Sequence, residues 1–484
     1  MITAALKRLS KNTIGFSVGT ILTQAIGFFL IPIYTNYLSP SDYGILSIAS
    51  VISAILTILV FLGMRSAITR FYFDYPNAKD LKEYLSTITI SILATSFSLT
   101  FLAWIFGNSF FSILFPEVPF YPYLILVFLT VFFNIPLTIA FILLQVREQS
   151  FHYSFINVMK FLLTTSAIVI FVVIYHKGAL GSLFGQCVAA AILFFVGIAL
   201  LKKDIGFVFI SGKLKDSLTF GIYLIPHELA SWTTNLIDRI FLNYYTSLSV
   251  VGIYSLGYQF ASILTVITTM MNYAWVPFFI SSFQESGDQI KPIIAQLTRY
   301  YVMFLMLCAL GISLFSREII ICIANPDYYS AIPIVPVVIL AFIFDGLYYM
   351  VVTQLFIVKK TVFITLSTLT AAALNITFNF ILIPQYGMFG AAASTVISFG
   401  FSFILVFYFS HQLFPIKYDY TRLAAPIILA IFIFLVSLGI PQDCNLIISV
   451  CLKCVLMALY AGCLISFGLL SKNELIEIKR EFLA

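Results

Sequence analysis

The sequence predicts an all-α polytopic membrane protein with about fourteen transmembrane helices. Of its 484 residues, 61% are hydrophobic and 10% are charged, and the mean hydropathy is +1.05. About a quarter of the residues in a soluble domain are charged. The apolar residues form blocks of roughly 20, which is the length that a helix needs to cross a hydrocarbon core. Blocks such as 88–106 and 427–440 are apolar on every face, which excludes the alternating strands of a membrane β-barrel.

Fourteen apolar blocks are long enough to be spans. They lie near residues 12–34, 42–64, 84–106, 119–145, 153–175, 179–201, 218–242, 249–272, 295–316, 330–357, 362–383, 387–409, 423–440 and 446–470. The first block is longer than the apolar part of a signal peptide and leads directly toward a second span. We therefore expect it to be retained as the first transmembrane helix.

The distribution of Lys and Arg predicts the orientation. Of the 26 cationic residues, only Lys177, Arg239 and Arg317 fall on one side of this arrangement, and Lys160 and Lys453 fall within spans. All the others collect in the loops on the opposite side. Lys and Arg accumulate in short cytoplasmic loops. The sequence therefore predicts an even number of spans with the N- and C-termini in the cytoplasm, and no basic tract points to nucleic acid.

Two segments near the starts of the predicted second and eighth spans repeat each other. The identical pairs, at an offset of 208, are Tyr37/Tyr245, Ser39/Ser247, Ser41/Ser249, Gly44/Gly252, Ile45/Ile253 and Ser47/Ser255. A second match pairs Gly178 with Gly387 and Gly181 with Gly390. The two offsets differ by one residue, which predicts two pseudo-symmetric six-helix lobes.

The predicted lobes are residues 1–205 and 206–410, and residues 411–484 add two helices and a cytoplasmic tail. Parallel lobes of this kind are one architecture of secondary transporters, which move the lobes around a site near the membrane midplane. The polar stretch 204–216 is expected to be the linker between the lobes.

The predicted seventh span carries the densest set of polar residues. At 100° per residue one stripe contains Glu228, Trp232, Asn235 and Arg239, and the neighbouring stripe contains His227, Ser231, Thr234 and Asp238. Pro226 is expected to loosen the helix where the stripes begin. Ionisable groups within spans are costly, by about 2.5 to 3.5 kcal/mol each on insertion scales. These residues are therefore candidates for the lining of a central cavity.

Two interpretations of Asp238 and Arg239 remain open. In one, they cap the external end of the helix and pair with headgroups or with each other. In the other, Arg239 binds a phosphate or an acidic sugar, since its planar guanidinium donates two parallel hydrogen bonds. Glu228 or Asp238 would then be the protonatable coupling group.

Four further charged residues are candidates for substrate binding. Asp345 lies in the tenth span, and Lys160 in the fifth could instead extend to the inner surface. Arg65 and Arg70, at the inner end of the second span, could meet a phosphate from the cytoplasmic leaflet, although anchoring at that surface explains them equally well.

The sequence lacks the motifs that are typical of several classes of chemistry. The sequence has no P-loop and no HExxH motif, so neither direct ATP hydrolysis nor a motif-based metal site is expected. The seven cysteines lie mostly in apolar blocks and favour neither a disulfide framework nor a zinc site. No external loop is long enough for a catalytic domain, so we expect a protein without a cofactor that is not an enzyme.

The order of these motifs resembles the polysaccharide-biosynthesis exporters. The features are the turn 38–46 after the first span, Arg70-Phe71-Tyr72 after the second, Asp238-Arg239-Ile240, the segment 251–255 and the segment 386–392. Over residues 10–410 the chain is similar to the Wzx-type O-antigen flippases of the multidrug, oligosaccharidyl-lipid and polysaccharide superfamily.

The resemblance implies twelve to fourteen helices in two lobes around a cationic cavity, within a bacterial cytoplasmic membrane. It implies the transfer of an undecaprenyl-diphosphate-linked oligosaccharide across that membrane for O-antigen, lipopolysaccharide or capsule synthesis. An ion gradient of protons or sodium would drive this transfer, as in an antiporter. Membrane lipids and other polysaccharide-assembly proteins would be the partners.

Two other functions of the same superfamily stay open. A cation-coupled multidrug exporter would need an acidic cavity, and the first six spans contain almost no deep carboxylate. A peptidoglycan-precursor flippase would use the same diphosphate-binding chemistry. A polymerase, from a different class, would need the large external loop that the sequence lacks.

Overall fold

The computed structural model describes residues 27–441 and 444–466, and within these ranges the regular elements are helical. In chain order the helices are α1 (residues 27–37), α2 (Pro40–Phe61), α3 (Met64–Phe71), α4 (Ala78–Leu114), α5 (Ile125–Val146), α6 (Ser150–Val169), α7 (Gly178–Leu201), α8 (Ser211–Ile222), α9 (Ile225–Leu236), α10 (Asp238–Tyr245), α11 (Leu248–Ala261), α12 (Ile263–Ser286), α13 (Lys291–Ile323), α14 (Ile334–Ile357), α15 (Val362–Tyr386), α16 (Met388–Leu413), α17 (Tyr420–Ser437) and α18 (Leu446–Ser466).

Within the described ranges, eleven helical segments are long and apolar enough to cross a membrane, which confirms the all-α polytopic class. One of them, Leu248–Ile323, contains the predicted eighth and ninth spans, separated by a turn at Gly287. The first predicted span lies largely outside the described residues, and the seventh is interrupted. The exact number of fourteen therefore stays a prediction.

The chain forms two compact units by its internal contacts. Unit 1 comprises Met1–Leu256 and Ala372–Ala391, and unit 2 comprises Gly257–Ala371 and Ala392–Ala484. The predicted lobe boundaries at residues 205 and 410 remain a prediction.

The start of α2 shows how the local sequence fixes a helix end in unit 1. The Ser39 hydroxyl accepts a hydrogen bond from the Asp42 backbone N–H, at 3.1 Å, and the Asp42 carboxylate accepts one from the Ser39 N–H, at 3.2 Å. Pro40 occupies the first helical position, where its missing N–H costs nothing. This capping box satisfies donors that the first turn would otherwise leave unpaired.

Helices α2 and α11, which begin in the two copies of the repeat, cross at their glycines. A Cβ atom at Gly44 would lie 2.0 Å from the Leu248 carbonyl oxygen, and one at Gly252 would lie 1.9 Å from the Pro40 carbonyl oxygen. Pro40 and Leu248 are themselves counterparts at the repeat offset. The contact is therefore reciprocal, as in an isologous interface.

A serine pair continues this crossing one turn further along both helices. The Ser47 and Ser255 hydroxyl groups share a hydrogen bond of 2.6 Å, and both side chains are buried. Close backbone contact between small residues, together with hydroxyl hydrogen bonds, is typical of helix packing in membranes. The repeat thus appears in the structure as a contact between equivalent residues.

The predicted interlobe linker, residues 204–216, is hydrogen-bonded to neighbouring helices of unit 1. Arg147 donates two hydrogen bonds to the Asp204 carboxylate, at 2.9 and 2.6 Å, and this contact raises the pKa of the Arg147 guanidinium. Beyond it, the linker backbone and α8 are hydrogen-bonded to the first turns of α4. The stretch therefore belongs to the packed structure of unit 1.

Unit 2 is built around α13, which packs against α14, α17 and α18. An apolar cluster of Val351, Val352, Leu355 and Val406 joins α14 to α16, and the Phe363 and Phe409 rings stack at 4.1 Å.

The seven cysteines are free thiols. Three of them, Cys322, Cys451 and Cys454, lie in apolar blocks of the sequence but are exposed on the surface of the protein.

Candidate functional site

The predicted seventh span is not one continuous helix but a series of three short ones, α8, α9 and α10. The helical path is interrupted between α8 and α9, at Tyr223 and Leu224. Pro226 lies in the first turn of α9, where a helix tolerates its missing N–H and where it cannot extend the preceding helix. The expected loosening at Pro226 is therefore a complete break, a few residues earlier in the chain.

Asp238 and Arg239, at the start of α10, form a buried ion pair. Arg239 Nη1 lies 2.7 Å from Asp238 Oδ1 and donates a second hydrogen bond of 2.7 Å to the Asn235 carbonyl oxygen. Tyr254, on α11, donates its hydroxyl hydrogen to the other oxygen of Asp238. The Arg239 guanidinium also lies 5.7 Å from the centre of the Tyr254 ring. The positive charge of Arg239 is thus neutralised within unit 1.

The other polar residues of α9 divide into packed and exposed positions. The Trp232 indole donates a hydrogen bond of 3.2 Å to the Val51 carbonyl oxygen on α2. The Asn235 amide donates one of 2.8 Å to the Ser231 carbonyl oxygen of its own helix. Glu228 is half-buried and His227 is exposed. The predicted stripes therefore combine contacts to α2 with side chains that remain accessible.

Three of the predicted site residues, on three different helices, are linked through the charge of Arg65. Arg65 is the second residue of α3, just after the left-handed turn at Leu62 and Gly63, and its guanidinium lies 4.3 Å from the centre of the Phe61 ring. Its charge interacts with those of Lys160 on α6 and Glu228 on α9.

Two cations and one carboxylate give this cluster a net positive charge. Within the described residues, neither Arg65 nor Lys160 has a carboxylate at ion-pair distance. We call Arg65, Lys160 and Glu228 the cationic cluster.

Arg70 is separate from the cationic cluster in its contacts. It is exposed, and its Nη1 atom lies 2.8 Å from the Asp74 carboxylate on the same short stretch of chain. It therefore has the environment of a surface anchor.

Asp345 lies in unit 2, on α14, and is half-buried. It interacts electrostatically with the phenol groups of Tyr301, Tyr348 and Tyr349. The Tyr301 hydroxyl donates a hydrogen bond of 3.0 Å to the Gly346 carbonyl oxygen, beside Asp345. Among the described residues, no cation pairs with Asp345.

A second buried ion pair, in unit 2, was not predicted from the sequence. Lys453 on α18 lies 2.7 Å from both carboxylate oxygens of Glu318 on α13, and the Ser449 hydroxyl donates a further hydrogen bond of 2.6 Å. The only sequence signal was that Lys453 falls within a span. The partners are 135 residues apart, so their spacing carried no information about the pair.

Two concave surfaces adjoin these elements. A groove of about 380 Å³ follows α8 and has both polar and apolar walls, formed by Ser211, Leu214, Lys215, Leu218, Thr219 and Ile222. A second cavity, of about 290 Å³, lies between α13, α14 and α17 of unit 2 and is almost entirely apolar, with Leu310, Ile343 and Phe434 among its lining residues. Within residues 27–441 and 444–466, no three His, Cys, Asp or Glu side chains are grouped as metal ligands would be.

The multi-span helical fold, with its interrupted, charged helix, places this chain in the class of polytopic membrane proteins. Residues 9–283 match the family described as polysaccharide biosynthesis protein. The chain belongs to this family. A membrane protein of Haemophilus influenzae that is described as uncharacterized is 24% identical over 299 residues, which cover 59% of this chain and 68% of the relative.

Solved structures show the same fold. The lipid II flippase MurJ, in an inward closed conformation, superposes with a TM-score of 0.76 at 15% identity, covering 93% of this chain and 98% of that one. A multidrug resistance MATE family transporter of the MOP superfamily, in an inward-facing conformation, gives a TM-score of 0.62 at 13% identity, covering 84% of this chain and 98% of that one. At these identities the likeness concerns the fold alone.

Proposed function

We propose that this protein transfers an undecaprenyl-diphosphate-linked oligosaccharide across the bacterial cytoplasmic membrane during the synthesis of a surface polysaccharide, O-antigen or capsule. Membership of the polysaccharide biosynthesis family supports this proposal. Both termini would lie in the cytoplasm, as the distribution of Lys and Arg predicts. Other polysaccharide-assembly proteins would supply the substrate and receive the product.

The cationic cluster is the observation that carries the proposal. Arg65 and Lys160 are close enough to repel each other, and one carboxylate, Glu228, does not balance them. Like charges in a medium of low dielectric constant are costly unless an anion lies between them. A diphosphate supplies this anion, and Arg65 suits it because a guanidinium remains charged and donates parallel hydrogen bonds.

An amphiphilic substrate also needs apolar surface, and the groove along α8 offers it in the same unit. Lys215 lies in this groove beside Leu214 and Leu218. We propose that the groove receives part of the substrate, whereas Trp232 and Asn235 orient α9. Asp238 and Arg239 would have a structural role and would not bind the substrate, because their charges are already paired with each other.

Ion coupling requires a carboxylate that can take up a proton or a sodium ion. Asp238 is held by Arg239 and Tyr254, whereas Asp345 has no cationic partner among the described residues. We propose Asp345 as the coupling residue. Asp345→Asn should abolish the dependence of transport on the ion gradient, whereas Asp419→Asn, which alters an exposed carboxylate paired with Arg422, should not. Unchanged coupling in Asp345→Asn would remove this residue from the mechanism.

The main experiment complements a strain that lacks its own flippase and measures surface polysaccharide. Arg65→Ala and Lys160→Ala should each lower the polymer at least tenfold at equal protein level, and Arg65→Lys should retain part of the activity because it keeps the charge but loses the planar fork. Arg70→Ala is the matched control and should leave the polymer unchanged. Normal polymer in both Arg65→Ala and Lys160→Ala would refute the role of the cationic cluster.

A peptidoglycan-precursor flippase is the second candidate, because the fold of the lipid II flippase MurJ covers almost the whole chain. Complementation of a strain depleted of its lipid II flippase separates the two functions. Growth without surface polymer would favour the precursor flippase, whereas polymer without growth supports our proposal. A cation-coupled multidrug exporter is disfavoured, since the positive cluster would repel organic cations.

A further inference from the structure

The linker that joins α7 to α8 exposes three consecutive apolar side chains. Phe207 is fully exposed, Phe209 is 55% exposed and Val208 is 42% exposed. Exposed apolar residues scattered singly are ordinary, whereas a contiguous group marks a contact surface. This segment is not part of the proposed substrate site, so its exposure calls for a different partner.

The backbone on both sides of these residues is held in place by α4. The Gly206 N–H donates a hydrogen bond of 2.7 Å to the Ser86 hydroxyl, and the Ile210 N–H donates one of 3.0 Å to the Thr87 hydroxyl. Both hydroxyl groups are buried. Because its two ends are bound to α4, the segment 207–209 is presented outward as a fixed short loop.

The same hydrogen bonds define how deep the loop lies along α4. The charged residues of α4 end at Glu83, and the next charged residue in the chain is Glu117. Ser86 and Thr87 lie three and four residues beyond Glu83, about 5 Å further along the helix axis. The charge pattern of α4 indicates that this is the level at which the helix passes from the polar headgroups into the hydrocarbon. Apolar side chains of interfacial segments lie at about this depth.

Positive charge flanks the loop. Lys202 and Lys203 lie five and four residues before Phe207 in the same linker and are exposed. Lys213, beyond it, is already bound to Glu83, at 3.0 Å. The two free lysines lie on the side of the membrane that the charge distribution predicts to be cytoplasmic, where anionic lipids attract basic residues that adjoin the surface.

We propose that the loop 207–209 is an interfacial anchor that inserts Phe207 and Phe209 into the anionic cytoplasmic leaflet, while Lys202 and Lys203 bind lipid phosphate groups. The anchor fixes the position of α8 relative to the membrane surface. It does not depend on the transported substrate, so it would hold even if the proposed function were wrong.

The test uses the full chain in lipid nanodiscs of phosphatidylcholine with phosphatidylglycerol. An environment-sensitive fluorescent amino acid is introduced at position 207 and, as the control, at position 361, an exposed loop residue. Lipids with brominated acyl chains should quench the probe at 207 at least threefold more than aqueous iodide does, and iodide should quench the probe at 361. Equal quenching by iodide at both positions would overturn the insertion and would favour a soluble protein partner for the loop.

A second measurement tests the charged part of the anchor. Raising the phosphatidylglycerol fraction should shift the emission of the probe at 207 toward the blue. This shift should be lost in Lys202→Ala/Lys203→Ala and kept in the matched control Lys359→Ala/Lys360→Ala, which removes another exposed lysine pair. An equal shift in both double variants would overturn the role of Lys202 and Lys203.

Discussion

The Asp238–Arg239 pair and the cationic cluster are two charged regions of unit 1 that differ in whether their cations are paired with a carboxylate. Arg239 is buried with a carboxylate at 2.7 Å, and a tyrosine binds the same carboxylate. Arg65 and Lys160 interact electrostatically with each other, and neither has a carboxylate at that distance among the described residues. A neutralised buried cation contributes to the architecture, whereas a cation left without its counter-ion is available for an anionic ligand.

Unit 2 repeats the first arrangement with different residues. Glu318 and Lys453 are both buried and join α13 to α18. Removing one partner of such a pair leaves an uncompensated charge, which is more costly than removing both. The comparison therefore predicts large losses of stability for the two ion pairs and small ones for the cationic cluster.

The largest effect is expected for Asp238→Ala. It leaves the Arg239 guanidinium buried without its carboxylate and should lower the free energy of unfolding by about 3 to 5 kcal/mol. Thermal unfolding in detergent, followed by size-exclusion chromatography, measures this loss. The double variant Asp238→Asn/Arg239→Gln should recover more than half of it. A single variant as stable as the parent would break the comparison.

Lys453→Met should cost somewhat less, about 2 to 4 kcal/mol. Arg317 lies 3.6 Å from the Glu318 carboxylate and can compensate part of the lost charge. The same unfolding assay applies, with Glu318→Gln/Lys453→Met as the paired control. Equal stability of the single and double variants would show that the pair is not coupled.

A substitution that alters no charge shows whether the stability of unit 1 is sensitive to substitutions in general. Gly252→Ala would place a methyl group against the Pro40 carbonyl oxygen, so α2 and α11 must move apart, at a cost of about 1 to 3 kcal/mol. Gly212→Ala, which adds a methyl group where no atom lies within 4 Å, is the matched control. A loss in Gly212→Ala as large as that in Gly252→Ala would point to general fragility.

The smallest effect on stability is expected for Arg65→Ala. Arg65→Ala removes the repulsion of Lys160 and also the attraction to Glu228, so the free energy of unfolding should change by less than about 0.5 kcal/mol, as for the exposed Arg70→Ala. Melting temperatures of both variants should match that of the parent within error. A loss of several degrees in Arg65→Ala would assign this residue to the architecture and would weaken the proposed diphosphate site.

The sequence predicted those features that depend on local chemistry. Apolar block length predicted the helices, and Asp238 and Arg239 were recognised as polar groups in a span with mutual pairing as one interpretation. The break before α9 was only half predicted, because Pro226 indicates a weak point but not where the preceding helix ends.

The remaining features depend on contacts between distant residues. Asp204 meets Arg147, and Lys453 meets Glu318, across separations of 57 and 135 residues. A polar stretch such as 204–216 has the composition of a free linker whether or not a helix binds it. Only the structure shows that α4 binds this stretch.

The crossing of α2 and α11 has a consequence for how the chain can change. Each glycine contacts a residue in the other copy of the repeat. A larger residue at Gly44 would clash with Leu248, and a larger residue at Gly252 would clash with Pro40. Drift in one copy of the duplicated segment is therefore restrained by the other copy. The two copies therefore remain recognisably similar in sequence at the positions where they contact each other.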